Sequence, residues 1–350
     1  MAKTVIGLEI TEEGVRAAEV TTGRNPTLVA YGAVPLPAGA AKDSEVLDPD
    51  AVSLALRQLW SRGRFTHRRV VLGIGSRRIL VREYTTQALR PDLLRQALPF
   101  QVQDLLPVPA DQAVLDFYAS SQEGDQITGL LVAAVAETVE QLVTAVGKAK
   151  LTVDSVDLAP FGLARGVSRL AAPGESIAAL HLGDHTSYVV IVRDGVPRFV
   201  RILPLEILTD AVRDREAAAA PAVDEVEAPV EELVGAAAGS GGARRRRYSS
   251  ARGERIAGMT EAALSDLVSR MRSTLAFYAG RTNDVPVSRV ILTGAGAAAP
   301  EVGDSLAASL PLPVAYAGAA EIVAVKSDAP QGTVGLDLLT TVGLALNEGR

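Results

Sequence analysis

The chain opens with short apolar runs separated by polar turns. Residues 4–10 read TVIGLEI, the turn TEEG follows at 11–14, and a second apolar run, VRAAEV, occupies 15–20. Another turn, TTGRNP, leads into TLVAYGAVPL. Runs rich in β-branched residues between turn residues are typical of consecutive strands, so the pattern predicts a three-stranded meander.

The same pattern returns half a chain later. Residues 176–205 contain the strand IAALHL, the polar turn GDHT, the strand SYVVIV, the turn RDG and the strand PRFVRI. When the two segments are laid side by side, Glu9 falls on His181 and Thr11 on Gly183. Repetition of one supersecondary unit favours an internal duplication, and coincidence between two common meanders is the alternative.

Apolar residues take helical spacing in several other segments. A helix is predicted after Asp48 or Asp50, either of which is a suitable N-cap. Residues 83–155 read as strand, helix, two strands and helix, which predicts a compact unit inserted after the first sheet. Residues 259–280 form an amphipathic helical pattern, and GTVGLDLLTTVGLALNEG predicts a closing helix.

One segment differs in kind from the rest. Residues 214–255 are rich in Ala, Glu, Pro and Gly and then switch to a basic run, Arg244 to Arg247. Such a composition cannot bury a core, so we expect a low-complexity disordered loop inside the second half of the chain. A solvated loop is favoured over contact of the basic run with acidic lipid or nucleic acid.

Composition excludes several classes of function. The chain has 350 residues, 48% of them hydrophobic, which allows two domains or one domain with two well-developed halves. The net charge of −6 argues against nucleic acid as a partner. The absence of cysteine excludes disulfides and thiol nucleophiles. With no apolar run near the ~20 residues of a membrane span, we expect a cytoplasmic protein without direct membrane insertion.

Three turns are candidates for phosphate binding, because hairpins and glycine turns present backbone N–H groups to anions. They are TEEG at 11–14, GDHT at 183–186 and GAGA at 294–297. The first turn carries two acids, so it is a phosphate loop, the remnant of one, or an ordinary hairpin. His181 and His185 are the only pair suited to a histidine metal site, and plain turn histidines are the favoured interpretation.

The ordered set of motifs resembles the PilM family of type IV pilus assembly proteins, within the actin-like ATPase superfold. The resemblance covers nearly the whole chain and rests mainly on VREYTTQALRPDLLRQALPFQVQDLLPVP, VIVRDGVPRFVRILP, SRMRSTLAFYAG, VILTGAGA and TTVGLAL. It implies an α/β, actin-like (ribonuclease H-like) duplicated fold with two lobes and an inserted βαββα subdomain. The implied division is a first half of 1–82 with 156–175 and 331–350, an insert of 83–155, and a second half of 176–330.

The resemblance also implies ATP with Mg²⁺ as the ligand. The matching positions are Glu9, Thr11, Arg16, Gly183, Asp184, Thr186, Ser187, Gly294 and Gly296. This chain departs from the family pattern, because Glu9 and His181 replace aspartates and Thr11 replaces a glycine. Glu12 and Glu13 add negative charge where a polyphosphate would lie, and like charges in contact cost several kcal/mol. We therefore expect ATP and Mg²⁺ binding to be weak or lost, with no hydrolysis and no catalytic residues.

The function implied by the resemblance is that of a scaffold. It would bind the cytoplasmic tail of a PilN-like inner-membrane protein and link it to the pilus motor ATPases. The alternatives are an active actin-like ATPase and an FtsA-like filament-forming protein. We expect the tail in a groove between the first sheet and the inserted unit, on apolar residues of LPFQVQDLLPVP, namely Phe100, Val102, Leu105 and Leu106. The alternative is that these residues only pack the unit onto the sheet.

Overall fold

The computed structural model describes residues 3–183, 186–205, 207, 209, 259–281, 285–299, 301–326 and 328–347. The segment expected to be a disordered loop, 214–255 with its arginine run, lies outside the described residues. So do two residues of the second polar turn, Asp184 and His185. Within the described ranges, no helix combines the length and the apolar character needed to cross a membrane.

The described chain contains sixteen strands and eight α-helices, with three short 3₁₀ helices. The strands are β1 (Thr4–Ile10), β2 (Gly14–Thr21), β3 (Thr27–Pro35), β4 (Ala41–Lys42), β5 (Glu45–Val46), β6 (Arg69–Ile74), β7 (Leu80–Gln87), β8 (Ala113–Glu123), β9 (Gln126–Val135), β10 (Thr152–Leu158), β11 (Ser176–Leu182), β12 (Ser187–Arg193), β13 (Val196–Leu203), β14 (Val287–Thr293), β15 (Val314–Tyr316) and β16 (Ala324–Val325). The helices are α1 (Pro49–Gly63), α2 (Pro91–Gln101), α3 (Ala136–Lys148), α4 (Ala159–Ser168), α5 (Glu261–Ala279), α6 (Val302–Ser309), α7 (Ala319–Ile322) and α8 (Gly332–Ala345).

Two mixed sheets repeat one arrangement of strands. The first has the order β10-β6-β1-β2-β3-β16 and the second the order β13-β12-β11-β14-β15. In each sheet an antiparallel meander, β1 to β3 or β11 to β13, is joined along its first strand by a parallel strand, β6 or β14. Glu9 pairs with Arg16 in the first meander, and His181 pairs with Tyr188 at the corresponding position of the second. The predicted duplicated α/β fold is confirmed.

Two helices cross tightly between these sheets. α8 lies against β1 and β2, and α4 packs across α8. The crossing is close because Gly162 and Gly343 face each other, and a Cβ atom on Gly343 would overlap the carbonyl oxygen of Gly162. Both central strands, β1 and β11, are buried almost throughout, as expected for strands that are covered on both faces.

A third, smaller sheet has the order β7-β9-β8. α2 packs on β8, and β13 of the second half contacts all three strands. The bounds of this unit are shifted from the insert expected at 83–155, because its first strand already starts at Leu80 and β10 pairs with β6 in the first sheet from Thr152. α3 returns to the first half as well, since its buried residues Leu142, Ala145 and Val146 belong to the core that α1 shares.

Candidate functional site

The first polar turn is a closed hairpin. The backbone N–H of Thr11 donates to the carbonyl oxygen of Gly14 at 2.9 Å, and the hydroxyl of Thr11 donates to the same oxygen at 3.2 Å. A side chain at position 14 would overlap the carbonyl oxygen of Val34 on β3, so glycine is required there. The N–H of Thr11 is therefore committed within the turn and is not presented to a ligand.

A buried ion cluster lies directly beneath this hairpin. Nη1 of Arg16 is 2.8 Å from Oδ2 of Asp337 and 3.6 Å from Oε2 of Glu13. Nε of Arg16 is 3.7 Å from Oε2 of Glu9, which also accepts a hydrogen bond from the hydroxyl of Thr341. Only 4% of Glu9 and 6% of Arg16 are exposed. One arginine thus faces three carboxyl groups, of which those of Glu9 and Glu13 are buried and that of Asp337 is partly exposed.

Burial decides the protonation of this cluster. Burial raises the pKa of Asp337 to about 7, although Arg16 opposes that change. Burial also raises the pKa of Glu9, against the opposing effects of Arg16 and of the Thr341 hydrogen bond. Burial alone would lower the pKa of Arg16, but Asp337, Glu9 and Glu13 together raise it above its usual value. Arg16 stays charged, and the excess negative charge is reduced by protons on the carboxyl groups.

The second hairpin carries a neutral pair of rings instead of an acid. The ring of His181 stacks on that of Tyr188, with centroids 4.8 Å apart and planes 15° apart. The hydroxyl of Thr340 lies 3.2 Å from the hydroxyl of Tyr188 and 3.4 Å from Nδ1 of His181. Burial, followed by the charge of Arg16, lowers the pKa of His181 to about 3. Among the described residues, no group of three or more His, Asp or Glu side chains is arranged to hold a metal ion.

The third turn is fastened to the last helix. Gly294 has φ of 88°, and its N–H donates to the carbonyl oxygen of Leu336 at 3.2 Å. The N–H of Ala295 donates to Oδ1 of Asp337 at 2.6 Å. Asp337 therefore bridges Arg16 and the third turn. Sequence reasoning missed this residue, although a single acid in the otherwise uncharged helix α8 was a usable signal.

The cavity described between the hairpins is much smaller than a usual ligand pocket. A cavity of about 20 Å³ is lined by several of the predicted residues, namely Glu9, Thr11, Arg16, Gly183 and Thr186. That volume holds about one water molecule, whereas ligand pockets usually measure about 300–1,000 Å³.

Two other predicted ligand residues are engaged inside the protein. Ser187 is fully buried and donates to the carbonyl oxygen of Gly183, and Gly296 packs against Leu182 and Ile207.

A larger pocket of about 200 Å³ lies beside the cluster, but its chemistry suits a phosphate no better. Glu13, Arg16 and Asp337 line it together with apolar residues of β3 and α8. Two carboxyl groups against one arginine disfavour a polyanion. The residues present at the hairpins therefore do not fit ATP with Mg²⁺.

The four residues predicted to bind a partner lie on and after α2. Val102 is completely buried with Leu98 and Leu131, so it supports the unit from inside and offers no contact surface. Leu105 and Leu106 are half-buried against the same small core, whereas Phe100 is 81% exposed. Of the four, only Phe100 presents a large free apolar surface.

The groove between the first sheet and the inserted unit has a different lining. It runs where the chain passes from β6 to β7, between the β4–β5 hairpin and α3. Its residues are Ser44, Ile74, Ser76, Arg78, Ile79, Ala134, Val135, Thr138, Val139 and Leu142. None of the four predicted partner residues is among them, because Pro91–Gln101 and the segment after it pack on β8 instead.

Known proteins resemble this chain both in sequence and in fold. Residues 7–202 match the family described as type IV pilus assembly protein PilM. A chain of the "PilM-PilN type IV pilus biogenesis complex" superposes with a TM-score of 0.75 at 22% identity, covering 98% of this chain and 98% of that one. The ethanolamine utilization protein EutJ from Carboxydothermus hydrogenoformans gives a TM-score of 0.47 at 10% identity, covering 99% of this chain and 90% of its own. The superposition on the chain of the PilM–PilN complex confirms the actin-like fold.

Proposed function

Because the family match spans more than half of its length, the chain belongs to the PilM family of type IV pilus assembly proteins, and we propose that it is a scaffold for the tail of a PilN-like membrane protein. The similar solved structure is that of a PilM–PilN complex, which supports a partner of this class. The proposal places the protein at the inner face of the plasma membrane through that partner. The link to pilus motor ATPases stays a prediction of the resemblance.

The family match over residues 7–202 carries this proposal, and we place the tail at the groove between the β4–β5 hairpin and α3. Thr138 and Val139 of α3 are partly exposed at its mouth, whereas Ser44 and Ile79 are buried inside it. Because its open volume is only about 10 Å³, the tail would lie across the mouth of the groove as an extended segment instead of entering it. Extended peptides are commonly bound through backbone hydrogen bonds with shallow pockets for alternate side chains.

Charged residues border the same groove. Arg77 pairs with Asp43 at 2.7 Å, and Arg78 pairs with Glu45 at 3.1 Å. These bridges fasten the β4–β5 hairpin, one wall of the groove, to the β6–β7 connection, which also lines it. The side chain of Arg78 is 68% exposed, which leaves it accessible to an acidic or carbonyl group of a bound segment.

A peptide titration tests the groove. A synthetic peptide of the cytoplasmic tail of the PilN-like protein from the same genome is titrated into the wild type and into Thr138→Arg, which fills the groove. We expect the substitution to weaken binding at least about tenfold, or about 1.4 kcal/mol. Thr144→Arg is the matched control, because Thr144 is exposed on the same helix and does not line the groove. Unchanged affinity in Thr138→Arg, together with loss in Phe100→Gln, would transfer the site to α2.

We propose further that ATP with Mg²⁺ is bound weakly or not at all. The buried cluster around Arg16, the neutral His181 and the small cavity between the hairpins support this proposal. The ion pairs of the Arg16 cluster then stabilise the fold without a bound nucleotide. An active ATPase, the main alternative, would require Arg16 to leave Asp337 and Glu9 and would expose three carboxyl groups to a polyphosphate.

A further inference from the structure

Basic side chains gather at one end of the first sheet, where its parallel strands begin. Lys3 precedes β1, Arg68 and Arg69 begin β6, and Lys150 precedes β10. The backbone joins these strand starts closely, since the N–H of Thr152 donates to the carbonyl oxygen of Arg68 at 2.8 Å. Arg24, in the turn after β2, and Arg64, at the end of α1, extend the same edge. We name this set, Lys3, Arg24, Arg64, Arg68, Arg69 and Lys150, the basic edge.

The positive charge of the basic edge is largely unneutralised. All six residues are exposed. Asp154 pairs with Arg69 at 2.8 Å, but within the described part of the chain the other five form no ion pair with an acid. The neighbouring acids are otherwise engaged, because Glu19 is fully buried against Thr4 and Thr66, and Asp50 pairs with Lys148.

The basic edge is separate from the candidate site and from the groove. β1 starts beside Lys3 and ends at Ile10 next to the first hairpin, and six residue steps of strand span about 20 Å. The chain as a whole carries a net charge of −6, so the field of this edge opposes that of the remaining surface. A separate, locally positive face on an acidic protein calls for its own explanation.

We propose that the basic edge docks on the anionic phospholipids of a membrane surface. Its cations lie on separate strand starts and turns, and none of them lines any of five cavities found among the described residues. Long, exposed Lys and Arg side chains of this kind make many weak contacts with a fluid layer of acidic headgroups. An extended nucleic acid would meet the acidic remainder of the surface. The inference goes beyond the proposed tail binding, which only brings the protein near the membrane.

Vesicle sedimentation tests this proposal with the full chain. The wild type is mixed with vesicles of phosphatidylglycerol in phosphatidylcholine, and with vesicles of phosphatidylcholine alone. We expect binding only to the anionic vesicles, and its loss at about 0.5 M salt, where charges are screened within a few ångströms. The variant Arg64→Gln/Arg68→Gln/Lys150→Gln should bind on the order of 100-fold more weakly. The control Arg82→Gln/Arg95→Gln/Arg272→Gln removes the same charge from other exposed positions and should bind like the wild type.

Several outcomes would overturn the proposal. They are no binding to anionic vesicles, equal loss in both triple variants, displacement by millimolar inorganic phosphate, which indicates a discrete phosphate site, and tighter binding to duplex DNA than to vesicles. Circular dichroism and the melting temperature verify that the basic-edge variant is folded. The tail titration uses no vesicles, and its variants change none of the basic-edge residues, so failure of tail binding and failure of lipid binding are told apart.

Discussion

Nη1 of Arg16 lies 2.8 Å from Oδ2 of Asp337, so the first hairpin is joined to the last helix by a buried ion pair between residues more than 300 positions apart. Asp337 also accepts a hydrogen bond from the N–H of Ala295 in the third turn. The chain's own charges therefore bring together the hairpin, the closing helix and the glycine turn, and this arrangement needs no ligand to complete it.

Removal of the arginine from this cluster should destabilise the fold. In Arg16→Met three carboxyl groups lose their buried counter-charge, and loss of one partner of a buried pair costs about 3–5 kcal/mol. We expect the urea midpoint of Arg16→Met to fall markedly, and Arg16→Met/Asp337→Asn to recover part of the loss. Arg69→Met is the control, because Arg69 pairs with Asp154 on the surface, with 72% of its side chain exposed. A similar fall of the urea midpoint in both single variants would mean that the buried cluster stabilises the fold no more than a surface ion pair does.

The raised pKa of Asp337 predicts a pH dependence. Its carboxyl binds a proton in the folded state up to a pKa of about 7, against 3.8 as the ordinary value. Between those values the folded state holds more protons than the unfolded state, so this contribution to stability is lost as the pH rises. Asp337→Asn lacks the contribution, and its stability relative to the wild type should increase from pH 5 to pH 8.

The comparison of the two proteins removes the contributions of groups that titrate alike in both. His181, with its pKa lowered to about 3, has the opposite slope below its ordinary value of 6.5, and it is present in both. Glu9 is also present in both, but the charge of Asp337 contributes to its raised pKa, so the difference includes a smaller change at Glu9 in the same direction. Urea unfolding at pH 5 and pH 8 measures the difference. A constant difference between wild type and Asp337→Asn would show that Asp337 is ionised throughout this range.

The crossing of α4 and α8 gives a prediction about packing. Gly343→Ala would drive a methyl group into the carbonyl oxygen of Gly162, and overpacking of this kind costs about 1–3 kcal/mol or more. Gly147→Ala, in α3, is the matched control, because open space surrounds that position and alanine favours a helix by about 1 kcal/mol. Melting temperatures should therefore shift in opposite directions. A tolerated Gly343→Ala would mean that the crossing can widen.

Nucleotide binding is tested by thermal stability. A ligand at a thousand times its Kd stabilises the folded state by about 4 kcal/mol, which would raise the melting temperature by several degrees. We expect about 1 mM ATP with Mg²⁺ to shift it by less than about 1 °C, because the cavity between the hairpins admits little more than a water molecule. A large rise in the melting temperature together with phosphate release would show that the protein is an active ATPase and not a nucleotide-independent scaffold.

Much of the architecture was predictable from local pattern. Runs of β-branched residues between polar turns predicted the two meanders and the correspondence between Glu9 and His181. Such signals are readable because each depends only on residues that are neighbours in the sequence. The closing helix was also readable, because its apolar stretch is long. The resemblance then supplied the way these elements assemble.

What escaped prediction depends on contacts between distant segments. Asp337 reaches Arg16 only after α8 folds back across β1 and β2. The apolar side chain of Val102 gives no local sign of whether it faces a partner or a core, and the sheet around Leu131 decides that it is buried. The groove lining also combines three separate segments of the chain, so no single stretch of sequence indicates it.

A nucleotide-independent scaffold is tested by the affinity of the PilN-like tail peptide for the wild-type protein, measured by calorimetry in nucleotide-free buffer and again with Mg-ATP. We expect binding in both buffers with the same Kd within about twofold, a difference below about 0.4 kcal/mol, because the Arg16 cluster joins the hairpin to the closing helix through the chain's own charges. Binding that requires Mg-ATP, or no binding in either buffer, would contradict a nucleotide-independent scaffold.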